Sequence, residues 1–191
     1  MSCQPGCSVC ERLRAAALAL VGNGGIEGVT LEALSERAGC SREEVQNHYA
    51  TAEECLWATY DEVSFALFLE LASAFERAGS WEAAVRRALR RLLARLATHP
   101  AEARLCFVEA LRANRRVRGH YVEQRTWVVE LFAAEHRRRR GQGESELQIE
   151  LLVGAAAQVI ASAVAGEPAA DLRELEPKLL GLTEVFTPVA A

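Results

Sequence analysis

Thr30-Leu-Glu-Ala-Leu-Ser-Glu-Arg-Ala-Gly39-Cys-Ser41-Arg-Glu-Glu-Val-Gln-Asn-His-Tyr49-Ala-Thr51-Ala-Glu-Glu-Cys-Leu56 reads as a short helix, a tight turn at Gly39 and a second short helix. Thr30 stands where an N-cap belongs, ahead of Leu31, Leu34 and Ala38, which are apolar at helical spacing. Gly39 tolerates the positive φ that closes a helix and reverses the chain. Ser41 offers a second cap, with a hydroxyl able to satisfy open N–H groups of the next helix. Val45 and Tyr49, four residues apart, share a face of that helix. Two helices joined by a Gly-containing turn of this length form a helix-turn-helix unit, whose second helix fits a DNA major groove.

The pattern extends upstream through Leu13, Ala17 and Leu20, then Gly22-Asn-Gly-Gly25 and Val29-Thr30. Over about residues 10–57 the sequence resembles the DNA-binding domain of the tetracycline-repressor (TetR) family. The shared elements are a first helix, a glycine loop, a Thr-capped helix, the turn Ala38-Gly39-Cys40-Ser41, and a recognition helix ending in His48-Tyr49. The resemblance implies double-stranded operator DNA as a partner. Thr30 and Ser41 would cap helices at phosphates, and Arg42 would contact phosphate or a guanine edge. Gln46, Asn47 and His48 would make polar contacts, Glu44 could accept from cytosine N4, and Tyr49 and Thr51 complete the interface. The sequence departs from the family pattern in three places. Glu43 and Glu44 stand where small residues are usual, Gln46 stands for a Tyr, and Ala52 stands for a Lys. The last two are phosphate-contacting positions in the family.

Charge runs against the same interface. The 191-residue chain carries a formal net charge of -4. Residues 11–56 hold Arg12, Arg14, Arg37 and Arg42 against Glu11, Glu27, Glu32, Glu36, Glu43, Glu44, Glu53 and Glu54, so the head accounts for the whole excess. DNA affinity rests largely on neutralising phosphates. Helix N-termini still donate to phosphate, and local fields can differ from the sum.

Half the residues are hydrophobic, Pro and Gly are few, and no stretch alternates like a strand, which predicts an all-α fold of about nine helices. The expected layout is a tail at 1–9, the DNA-binding head at 10–56, and a ligand-binding and dimerisation body at 57–191. Body helices are expected at about 52–78, 81–98, 101–113, 115–139 and 145–165, with a last one broken or kinked at Pro177. On the first of these, Trp57, Tyr60, Ser64, Phe68, Leu71 and Phe75 form one stripe. Gly79-Ser80, His99-Pro100 and Gly141-Gln-Gly143 punctuate the rest. The arginines of 86–95 read as a solvated face, and Arg137–Arg140 as cations favoured at a helix C-terminus.

Two apolar rows over 115–139 are interrupted by polar tips: Val117, Tyr121, Gln124, Val128 and Leu131, and His120, Gln124, Trp127 and Leu131. Ordinary core with locally satisfied tips explains each residue singly. In a family whose bodies usually hold a small-molecule cavity, the group predicts a pocket from Trp57, Tyr60, Ser64, Cys106, Glu109, His120, Tyr121, Gln124 and Trp127. Leu147, Leu151, Ala155 and Val159, with Leu175, Leu179, Leu182 and Phe186, predict helix seams that the resemblance assigns to a homodimer. A two-fold dimer would set its recognition helices about 34 Å apart.

Cysteines occur at 3, 7, 10, 40, 55 and 106 and are expected to be reduced thiols. Cys3, Cys7 and Cys10 have C-x3-C-x2-C spacing, which suits a soft metal, a cluster or a thiol sensor. No His or Cys nearby in sequence supplies a fourth ligand, so no metal or other cofactor is expected. The apolar run 15–21 is too short for a signal peptide, and 151–166 is shorter than a bilayer span and holds Gln158, so a cytoplasmic protein without a membrane helix is expected. No nucleophile–base or paired-carboxylate constellation supports catalysis. The expected function is a one-component regulator, a repressor by preference, released by an unknown small molecule. The alternative is a ligand-binding or interaction dimer on the same fold that has lost DNA binding.

Overall fold

The computed structural model describes residues 7–76, 78–112, 115–140, 146–166 and 171–186, excepting the side chains of 115–118 and Phe186. Every regular element among them is helical. The head comprises α1 (Ser8–Gly24), a 3-10 turn (Ile26–Gly28), α2 (Leu31–Ala38) and α3 (Arg42–His48). The body comprises α4 (Ala52–Glu76), α5 (Trp81–Thr98), α6 (Pro100–Arg104), a π-helical segment (Leu105–Glu109), α7 (Ala110–Arg112), α8 (Arg115–Arg140), α9 (Glu146–Ala165), a second 3-10 turn (Leu172–Leu175) and α10 (Glu176–Phe186).

The head closes on its own small core. Leu13 and Ala17 of α1, Leu34 of α2 and Val45 of α3 are fully buried together, with Cys10 and Cys55. Gly39 takes φ 62° and ψ 39°, so α2 stops in a left-handed residue and α3 leaves at a new angle. Two further constraints hold this geometry. Arg12 donates to the Ala38 carbonyl at 3.2 Å, and the Ser35 hydroxyl donates to the Cys40 carbonyl at 2.6 Å. A large-to-small change at Leu34 would cost about 2–5 kcal/mol, because its cavity could not collapse among four helices.

The body core runs from Val63 and Leu67 of α4 through α5 to α8 and α9. Phe132 meets Phe75 and Trp81 edge-on, with centroids 5.0 Å apart for Phe75–Phe132 and 6.0 Å for Trp81–Phe132. The arginine run closing α8 does more than answer its own helix dipole. Arg139 is half-buried, donates to the Phe75 carbonyl at 2.5 Å and lies over the Phe75 ring at 5.7 Å, so it caps the C-terminus of α4.

Four expectations need adjustment. First, Pro177 does not break a helix: it sits in the first turn of α10, where its missing N–H costs nothing, and the break falls at the preceding 3-10 turn. Second, the helix expected over 101–113 is interrupted by the π segment. Third, α9 has 20 residues and is long and apolar enough to cross a bilayer by length and composition; its Ile149, Leu152, Val153 and Ile160 are buried in the body core instead. Fourth, Cys7, Cys40, Cys55 and Cys106 are free thiols, but Cys10 is disulfide-bonded. The first helical turn brings Cys7 and Cys10 to one face, three residues apart. Cys3, the loop 141–143 and the Val117 side chain lie outside the described residues.

Candidate DNA-reading head and ligand cavity

Recognition helix α3 is short, and its ends decide its presentation. Ser41 Oγ accepts from Glu44 N–H at 3.1 Å, while Ser41 N–H donates to Glu44 Oε2 at 2.8 Å. This reciprocal capping box consumes two open donors. The bonds from Ser41 hold the Glu44 carboxyl below its ordinary range. Thr30 Oγ1 accepts from Ala33 N–H at 3.1 Å, and Thr51 Oγ1 from Glu54 N–H at 3.1 Å. Thr30, Ser41 and Thr51 are thus helix caps first.

Arg42, Glu43, Glu44, Gln46 and Asn47 are exposed along the outer face of α3. Arg42 is not an uncommitted cation, because Glu32 of α2 forms a salt bridge with it. His48 and Tyr49 depart from the expected interface. With Val45, they lie on the inward side of α3, as their i+3 and i+4 spacing requires. Tyr49 is buried, burial raises its phenol pKa, and its hydroxyl accepts from Arg14 at 3.5 Å. His48 Nδ1 lies 3.3 Å from Cys10 Sγ and 3.9 Å from Cys7 Sγ.

A cavity of about 150 Å³ opens among α4, α5, the π segment, α8, α9 and α10. Of the expected pocket residues, Tyr60, Ser64, Cys106, Tyr121 and Gln124 line it. Most of the wall is hydrocarbon and aromatic: Leu67, Phe68, Leu71, Leu89, Phe107, Val128, Phe132, Val153 and Ile160. Burial drives the Tyr60 phenol and Cys106 thiol well above their ordinary pKa values, so both stay neutral. Arg125 is on the rim, in a 2.7 Å salt bridge with Glu150. Sequence reasoning missed Leu89, Val153 and Ile160 because they belong to other helices' apolar faces, with no polar tip to set them apart.

Four expected pocket residues sit elsewhere. Trp57 stacks on His120 with centroids 5.0 Å apart, and His120 Nδ1 is 3.3 Å from Asp61 Oδ1, so this pair closes the outside of α4 against α8. Trp127 is partly exposed, edge-on to Phe68. Glu109 points away from the cavity. It is 2 % exposed, accepts from Arg104 Nε at 3.0 Å, and receives the Ile26 N–H at 3.5 Å across the head–body seam. Gly25 makes room for it: φ is 77°, and a Cβ there would stand 2.9 Å from Glu109 Oε1. The π segment therefore carries cavity wall at Cys106 and Phe107 on one side and a head contact at Glu109 on the other. Such segments recur at functional sites.

On α9, Leu147 is 60 % and Leu151 47 % exposed, with Ala155 and Val159 half-buried further along. On α10, Leu182 is half-buried, as is Leu175 in the turn before it, whereas Leu179 is 1 % exposed and belongs to the cavity wall. Leu179 is thus unavailable to a partner, because α10 packs on α5 and α9 of its own subunit. The Phe186 side chain lies outside the described residues.

No protein-family model matches the sequence, and no curated protein matches it. Solved structures do match over nearly the whole length. The fatty acid degradation regulator FadR from Bacillus halodurans superposes with TM-score 0.81 at 15% identity, covering 99% of this chain and 98% of that one. The transcriptional regulator FadR from Bacillus subtilis, in complex with stearoyl-CoA, gives 0.79 at 12% identity over 94% and 99%. A regulatory protein of the TetR family from Rhodococcus RHA1 gives 0.76 at 17% identity over 96% and 98%. The chain has the all-α fold of TetR-family regulators.

Proposed function

We propose that this chain is a TetR-type, ligand-responsive transcriptional regulator. It works in the cytoplasm as a homodimer, binds operator DNA through α2 and α3, and acts by preference as a repressor. The observation that carries the reading is the π segment, one stretch that touches both the cavity and the head. A molecule entering the cavity presses on Cys106 and Phe107, and any shift of that segment moves Glu109 against the 3-10 turn after α1. The ligand would then bias the spacing of the two heads, by as much as its affinity for the two arrangements differs.

The wall favours an apolar effector with few polar atoms, met by Tyr60, Ser64, Tyr121 and Gln124. Stearoyl-CoA, carried by one structural neighbour, is a reasonable first probe. The exposed apolar face of α9 supports the homodimer, since pairing with its two-fold copy removes Leu147 and Leu151 from water. The test is a genome-wide pull-down of DNA bound to the intact protein, followed by mobility shifts on recovered sequences with and without stearoyl-CoA. Specific recovery of a palindromic site supports the regulator; no enrichment overturns it.

The second reading, a ligand-binding dimer that has lost DNA binding, rests on the head's -4 charge and on Arg42 being held by Glu32. It requires that no duplex shift the protein even at low salt.

A further inference from the structure

We propose that the cleft between head and body, where Arg37, Arg104 and Arg173 converge, is a binding site for a small phosphate-bearing molecule, separate from the apolar cavity. The cleft has a volume of about 650 Å³, within the range of small-molecule sites. Its walls come from α1 and α2 on the head side and from α5, α6, α9 and the second 3-10 turn on the body side. It shares no lining residue with the apolar cavity.

The charge on its walls has one dominant sign. Arg37 stands in the last turn of α2, Arg104 ends α6, and Arg173 lies in the second 3-10 turn, so three guanidinium groups remote in sequence face one space. The carboxylate on the lining is Asp171, whose Oδ1 accepts the Arg173 backbone N–H at 2.9 Å, inside its own turn. Three cations against one carboxylate leave an excess of two positive charges; Glu109, which Arg104 already holds, reduces it to one. Arg37 and Arg173 have no acidic partner among the described residues. Elsewhere acids answer the exposed arginines, Glu32 for Arg42 and Glu176 for Arg90. Two unanswered guanidiniums on one concave surface are therefore a local feature of this acidic chain.

The rest of the lining says what kind of anion fits. Leu96, Ala97, Val164 and Leu172 make an apolar floor, and Asn23 adds an amide at its head-side edge. Such a floor suits the organic part of a ligand, while planar guanidinium forks match phosphate oxygens two at a time. Arg37 belongs to the head, and Arg104 and Arg173 to the body. One anion held by all three would fix the separation of head and body close to the seam where Glu109 meets Ile26. On the regulator reading this is a second effector input; binding itself does not depend on that reading.

The test uses the full chain at low ionic strength, without DNA. Titration calorimetry with inorganic pyrophosphate, then with ADP, should show one equivalent bound per chain, ADP the tighter because it also covers the floor. Arg37→Gln and Arg173→Gln should each weaken ADP binding by at least about tenfold, the usual scale for a hydrogen bond to a charged group. Arg87→Gln, the same charge change on α5 outside the cleft, should leave it within about twofold. In the unaltered protein, ADP should protect Arg37 and Arg173 from modification by phenylglyoxal, read peptide by peptide. Absence of saturable binding by both probes overturns the proposal. So does an equal loss from Arg87→Gln, or modification of Arg37 and Arg173 that ADP does not slow. The protection measurement involves no substitution, so a misfolded variant cannot decide the outcome.

Discussion

The carboxylate of Glu109 accepts the backbone N–H of Ile26, a body side chain reaching into the head at 3.5 Å. Arg104 supplies the second bond at 3.0 Å. Glu109→Ala removes both and should cost about 1–3 kcal/mol, the range for groups left unsatisfied on burial. Urea unfolding measures that loss. The same variant should bring the ratio of DNA affinities, with and without stearoyl-CoA, toward one. An unchanged ratio would mean that the signal travels by another route.

Arg42 and Glu32 are paired on the outer face of the head. Glu32→Gln should release the guanidinium to a phosphate. DNA affinity at low salt should rise, and the slope of log affinity against log salt should steepen by about 0.9, one phosphate's worth. Glu27→Gln, the same charge change at an exposed residue other than the one paired with Arg42, should leave the slope nearly unaltered. Equal effects from both would reduce the pair to bulk charge.

The capping box makes a pH-dependent forecast. Ser41→Ala should cost about 1 kcal/mol, the usual value of an N-cap. The folded pKa of Glu44 lies below its ordinary 4.5. Its contribution is therefore present above that value and fades as pH falls through the folded pKa. The urea midpoints of the native chain and Glu44→Gln should differ most near neutral pH and converge in acid. A gap that widens on acidification would contradict the assignment.

Leu151 and Leu179 are both apolar seam residues in sequence, yet they should fail differently. Leu151→Glu, on the exposed face of α9, should shift sedimentation from dimer toward monomer with helix content intact. Leu179→Ala should instead lower stability by about 2–5 kcal/mol, as a core truncation does. A chain that sediments as a monomer before any substitution would remove the dimer from the reading.

Filling the cavity should separate ligand response from DNA binding. Ala156 lines the wall, and Ala156→Phe should abolish the effect of stearoyl-CoA while leaving duplex affinity within about threefold, with overpacking costing about 1–3 kcal/mol in stability. Retained ligand response would place the effector elsewhere.

Local chemistry carried much of this molecule. Thr30, Gly39 and Ser41 act through bonds to residues three or four positions away, so caps and turn could be read from the chain alone. The apolar periods of α4, α5 and α9 likewise announced helices, because a buried face repeats every three to four residues whatever it packs against. The same logic misjudged His48 and Tyr49. Their resemblance to a DNA-reading terminus hid the fact that Val45 had already defined the inward side of so short a helix.

What the sequence determined by itself was therefore the set of helices, their caps, and the acidic balance of the head, all properties of neighbours along the chain. Tertiary structure alone decided that Leu179 faces its own core, that Glu109 leaves the cavity for the head, and that His48 meets Cys7 and Cys10. Each depends on the angle at which one helix crosses another. That angle comes from side chains interlocking across dozens of intervening residues, and no local spacing encodes it.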